Sequence, residues 1–221
     1  MNNERFYRAI SALPEPEPAG ERVAAVLLLL WEGQRGPELV LERRSLSLKR
    51  QPGEVCLPGG GVEPGETPRA CVLRETEEEL GLREVRILAH LESLRHRTGE
   101  RVEVFVGAVD SLRELRPQRS EVEEVFTIPL RWLRDHPPGV ARYVLRPDYE
   151  ASSPALYPFL SHYGRESDSP LWEWEGKVLW GMSARIVQGF VDRFAAELEP
   201  ENPEQGRVPA DTGGCGVINC C

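Results

Sequence analysis

The sequence lacks an apolar run long enough to cross a bilayer as a helix. Its longest, Val23 to Trp31, falls well short of the roughly 20 residues a span requires. The opening residues, Met1-Asn2-Asn3-Glu4-Arg5, carry no signal-like apolar stretch. Cysteine is scarce through the body of the chain. Cys56 and Cys71 stand alone, and Cys215, Cys220 and Cys221 crowd the end, so the 5 cysteines do not form a disulfide framework. Positive charge is in deficit: 27 Lys and Arg stand against 36 Asp and Glu, a formal net charge of -9. That balance opposes a general DNA or RNA binder, because phosphate backbones need a basic surface. A small anionic substrate is still compatible, served by a local basic patch or a bound metal. These deficits together predict a soluble, cytoplasmic protein with no membrane and no nucleic-acid partner.

Hydrophobic residues make up 40% of the chain and charged residues 29%, so a packed core is feasible and wholesale disorder is excluded. The 221 residues suit one sizeable domain with extended ends. We expect an N-terminal helix and Pro-rich linker over 1–20, a main domain over 21–198, and a disordered Cys-containing tail over 199–221. The helix runs from Glu4 to Leu13, and Pro14 to Gly20 breaks it. Ala24 to Trp31 reads as a buried strand, paired with Glu38 to Arg43 through a turn at Gly33 to Pro37. Thr67-Pro68 starts a helix, with Thr as N-cap and Pro in the first turn, and Gly81 stops it after Leu80. Its apolar side is expected from Ala70, Leu73 and Leu80, with Val72 or Thr76. Arg83 to Leu94, Val102 to Val109 and Val122 to Pro129 read as extended, with a turn at Thr98-Gly99 and a short helix over Leu130 to Asp135. Pro137 to Arg165 reads as irregular. Val178 onward reads as a strand and then a long helix. No internal repeat is present.

The chemistry concentrates between Gly59 and Leu82. Glu75, Glu78 and Glu79 sit at i, i+3 and i+4 of the helix, so their carboxylates share one stripe. Like charges at that spacing repel and favour a partner of opposite sign. Three carboxylates suit Mg2+ or Mn2+, which prefer oxygen ligands and keep several waters that phosphate oxygens can replace. The Gly59 backbone carbonyl in the preceding turn is a further candidate ligand, because glycine lets backbone approach closely. Arg74 is expected to point off the stripe and fix Glu66 by a bidentate pair. A solvated acidic helix face is the ordinary alternative for such a run. Here no interleaved lysine supplies the usual ion-pair support.

The pattern Gly60-(five residues)-Glu66-(seven residues)-Arg74-Glu75-Thr76-Glu77-Glu78-Glu79-Leu80-Gly81-Leu82 resembles the Nudix box. Thr76 is its one mild departure, standing where an aliphatic residue is common. The resemblance implies an α/β fold, an α/β/α sandwich around a mixed β-sheet, and metal-dependent hydrolysis of a nucleoside diphosphate linked to another moiety. It gives Glu75, Glu78 and Glu79 the metal-binding and base roles, with the base open among them. It also makes Glu121, in the acidic group with Glu123 and Glu124, a candidate further ligand.

The segment Leu39 to Gly60 resembles the extra motif of the coenzyme A diphosphatase branch. Arg44-Ser45, Lys49, Gly53 and Pro58-Gly59-Gly60 all match, while Gln51 and Leu57 depart from it. The likeness continues through Thr98 to Gly107, Glu121 to Pro129 and Leu179 to Ile186, so it spans roughly Val23 to Phe194. It implies coenzyme A or acyl-coenzyme A as the substrate. Arg43, Arg44, Lys49 and Arg50 put four cations into eight residues of an acidic chain, which suits a diphosphate with an added 3′-phosphate. Arg43, Arg44, Ser45, Lys49 and Arg50 are the candidate substrate-binding residues. Alternatives are another nucleoside diphosphate derivative, such as ADP-ribose or NADH, or a non-catalytic nucleotide-sensing module. His90, His96, His136 and His162 have no ligand-like spacing. Trp172, Trp174 and Trp180 read as packing residues. A homodimer is left open, and Cys220-Cys221 reads as part of a flexible tail.

Overall fold

The computed structural model describes residues 3–13, 23–95, 100–144 and 166–198. The Pro-rich linker, the Thr98-Gly99 turn and the cysteine-bearing tail lie outside them. The central strand, β1 (Val23–Gly33), is fully buried through its middle, Leu27 to Leu30. It reads as a continuous apolar run because both of its faces are covered. Leu28 and Leu30 enter one core, and Ala25, Leu27 and Leu29 enter the other.

β1 turns tightly into β2 (Gly36–Arg44), pairing antiparallel with Gly33 opposite Gly36. On its other side β1 runs parallel to β7 (Arg101–Val109), which pairs antiparallel with β5 (Arg86–His90) and β6 (Leu94–Arg95). β2 also pairs with β3 (Val55–Cys56) and β8 (Val122–Pro129). The short β4 (Gly59–Gly61) lies antiparallel against the start of β1, Gly60 opposite Ala25. The result is a mixed eight-stranded sheet.

Helices cover both faces. α2 (Pro68–Leu80) packs Cys71, Val72 and Leu80 on the Ala25–Leu27–Leu29 side. On the opposite side lie α1 (Asn3–Ser11), α3 (Leu130–Asp135) and α4 (Gly181–Arg193). This is the expected α/β/α sandwich. α1 contributes Phe6 and Ile10 to the core, and Phe6 meets Phe190 and Phe194 edge-on at 6.1 and 6.0 Å.

Three expectations need correction. Part of the stretch from Pro137 to Arg165 is extended rather than irregular: β9 (Gly139–Val144) joins β10 (Glu166–Trp174) and the expected strand β11 (Lys177–Trp180) in a second, antiparallel sheet, and the rest of that stretch, 145–165, lies outside the described residues. β9 meets β10 from across a long stretch of sequence, so no local pattern announces that pairing, whereas β10 and β11 close a tight hairpin through Glu175-Gly176. The stretch from Arg83 to Leu94 is two short strands rather than one. In α2, Ala70 is exposed and Cys71 takes the buried place beside Val72. Trp172 is a core residue as expected, its indole N–H donating to the His136 carbonyl at 2.7 Å.

Truncating Phe6 to Ala should cost about 3–5 kcal/mol, the usual range for a fully buried aromatic ring. Urea unfolding of the two proteins measures this, and a loss under about 1 kcal/mol would mean that α1 adds little to the core.

Candidate active site

α2 begins where sequence chemistry dictates. The Thr67 hydroxyl accepts from the Ala70 N–H at 3.2 Å, and Pro68 opens the first turn. Gly81 ends the helix in the left-handed region at φ 75, its N–H donating to the Glu77 carbonyl. With both ends fixed, the helix holds its acids over β4.

Two glycines of β4 make that approach possible. At Gly59 (φ 146) a Cβ would lie 2.3 Å from the Ala25 carbonyl oxygen, so only glycine lets β4 pair with β1 here. At Gly60 a Cβ would lie 2.2 Å from Glu75 Oε1. The space of the missing side chain is where the Glu75 carboxylate rests.

Arg74 gathers the acids. Its Nε and Nη2 donate to the two oxygens of Glu66 at 2.9 and 3.1 Å, and its Nη1 donates to Glu75 Oε1 at 2.9 Å and Glu78 Oε2 at 3.0 Å. The bidentate pair with Glu66 is as expected, and it holds the Glu66 carboxyl below its ordinary range. The expectation that Arg74 points off the acidic stripe is corrected. Its guanidinium is the only cation within reach of two stripe carboxylates among the described salt bridges.

The stripe itself is split by burial. Glu78 keeps 55% of its side chain exposed, whereas Glu79 is buried at 3%. Glu79 Oε2 accepts from the Gly59 N–H at 3.0 Å. Burial first, and the neighbouring Glu42 charge second, push the Glu79 carboxyl up to about 9. Glu42, on β2, is 1% exposed. Its Oε1 accepts from the Cys56 thiol at 3.2 Å, and its Oε2 has no hydrogen-bond partner. Burial pushes its carboxyl up to about 7 against the lowering effects of Cys56 and Arg44. Burial also raises Glu75, with Arg74 opposing. The half-buried Glu121 faces the same cluster, since its charge raises Glu42, Glu75 and Glu79 alike.

Among the described residues, no three His, Cys, Asp or Glu side chains stand in a geometry that holds a metal ion as placed. The reason is local: Arg74 occupies Glu75 and Glu78, and the Gly59 N–H occupies Glu79. The donor chemistry nevertheless fits a hard divalent cation. The donors are carboxylate oxygens, Glu75 and Glu78 already share one cation, and the neighbouring Glu42 carries a buried oxygen that is unpaired.

A NUDIX domain model matches residues 21–146. The chain belongs to the NUDIX family. It is 35% identical over 140 residues to Nudix hydrolase 3 of Caenorhabditis elegans, covering 58% of this chain and 58% of that protein. It is 41% identical over 95 residues to the mouse peroxisomal coenzyme A diphosphatase NUDT7, covering 42% of this chain and 40% of that one. The chain thus spans about half the length of these two relatives. It spans 82% of the uncharacterized Nudix hydrolase NudL of Shigella flexneri, at 30% identity over 177 residues and 78% of this chain.

Within this NUDIX domain the basic loop divides. Arg44 is half-buried and its charge reaches Glu42. Ser45 is buried, its N–H donates to the Glu121 carbonyl at 2.7 Å, and its Oγ lies 2.9 Å from Ser47 Oγ. Lys49 and Arg50 are exposed at the loop's rim. Arg43 lies on the opposite strand face from Glu42, 3.5 Å from Glu124, where it lines a cavity of about 430 Å3 with Lys177 and Trp180. Glu66, Arg74, Glu75, Glu78, Glu79, Gly59, Glu121 and Arg44 are therefore brought together, and Arg43 is not. Glu42 was absent from the sequence-based candidates. Its signal was an acid directly after the buried run Leu39-Val40-Leu41.

Glu79 binds its proton more readily in the folded protein than in the unfolded chain, whose ordinary value is 4.5. Its contribution to metal-free stability therefore falls as pH rises from about 4.5 toward about 9. Without divalent cations, Glu79→Gln should gain on the wild type in urea-melt stability across that window. A difference that stays flat with pH would contradict the assignment.

Proposed function

We propose that this NUDIX protein is a Mg2+- or Mn2+-dependent hydrolase that cuts the diphosphate of coenzyme A or an acyl derivative. Water adds to one phosphorus, the P–O–P bond breaks, and 3′,5′-ADP leaves from 4′-phosphopantetheine or its acyl form. The observation that carries this reading is the Ser45 N–H to Glu121 carbonyl bond, which ties the basic loop to the rim of the acidic cluster. The 41% identity to a protein named a coenzyme A diphosphatase supports the choice of diphosphate.

Glu75, Glu78 and Glu79 would hold the cation, with Glu121 and the Gly59 carbonyl as further donors. The cation would screen phosphate charge and lower the pKa of the attacking water. The chain's own part is positional and electrostatic. Arg74, anchored on Glu66, holds the carboxylate of Glu75 against Gly60 and also binds that of Glu78. One of the three box glutamates takes the water's proton. Arg44 stands at the buried end of the basic loop, and Lys49 and Arg50 stand exposed to meet the 3′-phosphate. Arg43 would act only through the cavity it lines.

No helix among the described residues is long and apolar enough to cross a membrane. The cytoplasm is our proposed compartment, although the mouse relative is named peroxisomal.

A panel of coenzyme A, an acyl-coenzyme A, ADP-ribose and NADH, each with Mg2+ and with Mn2+, tests the substrate by product mass. Coenzyme A or its acyl form should be cleaved fastest. Cleavage of ADP-ribose or NADH alone would transfer the reading to that substrate class, which the departures at Gln51 and Leu57 would then explain. Gly60→Ala should lower kcat by roughly 10²-fold, since its Cβ would displace the Glu75 carboxylate by an ångström or more. Unchanged turnover in that variant would remove Glu75 from the reaction.

A further inference from the structure

We infer that Glu42, outside the Nudix box, supplies a buried fourth carboxylate to the divalent-cation site of Glu75, Glu78 and Glu79. The inference rests on the metal-dependent reading above and names a residue that reading does not include.

The sheet carries three glutamates at 2% exposure or less, and they differ in one respect. Glu38 is gripped by the Arg35 fork at 3.2 and 3.1 Å and accepts from the Thr127 hydroxyl at 2.6 Å. Glu103 is held by Arg101 at 2.6 Å, His90 at 2.7 Å and Ser93 at 2.7 Å. Both are buried charges with full complements of partners. Glu42 has only the Cys56 thiol, a weak donor, and its Oε2 is bare. A buried ionised carboxylate with an unpaired oxygen is costly unless a cation meets it.

The place of that oxygen identifies the cation. Glu42 follows Val40 on the α2 face of β2, the face on which the box acids sit. Its partner Cys56 lies three residues before Gly59, whose N–H binds Glu79. The charges that reach Glu42 are Arg44, Glu121 and Glu75, and Glu42 is the leading charge acting on Glu79. Arg44 is two residues along the same strand and its charge favours the Glu42 carboxylate, but no hydrogen bond reaches Glu42 Oε2. Glu42, Glu75, Glu79 and Glu121 thus act on one another, with the Arg74 fork bound to Glu75 and only the more distant charge of Arg44 opposing Glu42. A hard divalent ion would satisfy the bare oxygen and relieve the repulsion at once.

The test is Mn2+ binding to the full chain, followed by the electron paramagnetic resonance signal of free Mn2+, with thermal melts in parallel. Glu42→Gln keeps the shape and an acceptor for Cys56 but removes the charge. It should weaken Mn2+ binding by about tenfold or more. Its metal-free melting temperature should match or exceed that of the wild type, while its rise on adding Mn2+ should be smaller. A merely structural role would instead lower both melting temperatures together and leave Mn2+ affinity unchanged, which overturns the inference. Glu42→Asp, which keeps the charge but withdraws it by one methylene, should also bind more weakly. Unchanged affinity in whichever of the two variants folds counts against Glu42. Glu79→Gln separates this inference from the one beneath it. If Glu79→Gln loses Mn2+ and Glu42→Gln keeps it, only the role of Glu42 fails. If the wild type binds no Mn2+, both fail.

Discussion

The carboxylate of Glu79 sits at 3% exposure beside that of Glu42 at 1%, and the site is organised around this crowding of like charge. Removing a carboxylate from water is unfavourable, and setting a second one near it is more so. The fold imposes both. Caps at Thr67 and Gly81 fix the span of α2, and the glycines of β4 bring the helix close enough for Glu79 to accept from the Gly59 N–H. The sandwich thus holds its acids in place by packing on the other side of α2, through Cys71, Val72 and Leu80 against β1 and β2.

Arg74 is the counterweight. One guanidinium bridges Glu66, Glu75 and Glu78, so it neutralises part of the cluster, and among the described residues neither Glu79 nor Glu42 forms a salt bridge. That arrangement differs from an ordinary surface ion-pair network, in which exposed pairs contribute little. The unbalanced pair lies in the buried part, where electrostatic effects are largest. A divalent cation there would convert an unfavourable cluster into a favourable one, which links metal binding to stability.

Much of this was legible in the sequence because it is local. Thr67-Pro68 and Gly81 state where α2 starts and stops, and the spacing of Glu75, Glu78 and Glu79 follows from the helical period. The pairing of Arg74 with Glu66 was legible too, but its second contact with Glu75 and Glu78 was not, because a rotamer is chosen by packing and charge together. Glu42 escaped notice because a strand acid gains its meaning from what the sheet sets opposite, here Cys56. β9 escaped for the same reason, since it pairs with β10 across a long chain separation, whereas β11 was expected from Val178 onward. Burial also divided residues that periodicity treats alike, leaving Glu78 exposed and Glu79 covered.

The central claim is that these acids hold a cation. Diffraction from crystals grown with Mn2+, recorded where manganese scatters anomalously, tests it most directly. The account predicts an anomalous peak within coordination distance of the Glu75 and Glu79 carboxylates, with Arg74 drawn off Glu75. A peak elsewhere, or none with Arg74 still bridging Glu75 and Glu78, would contradict it.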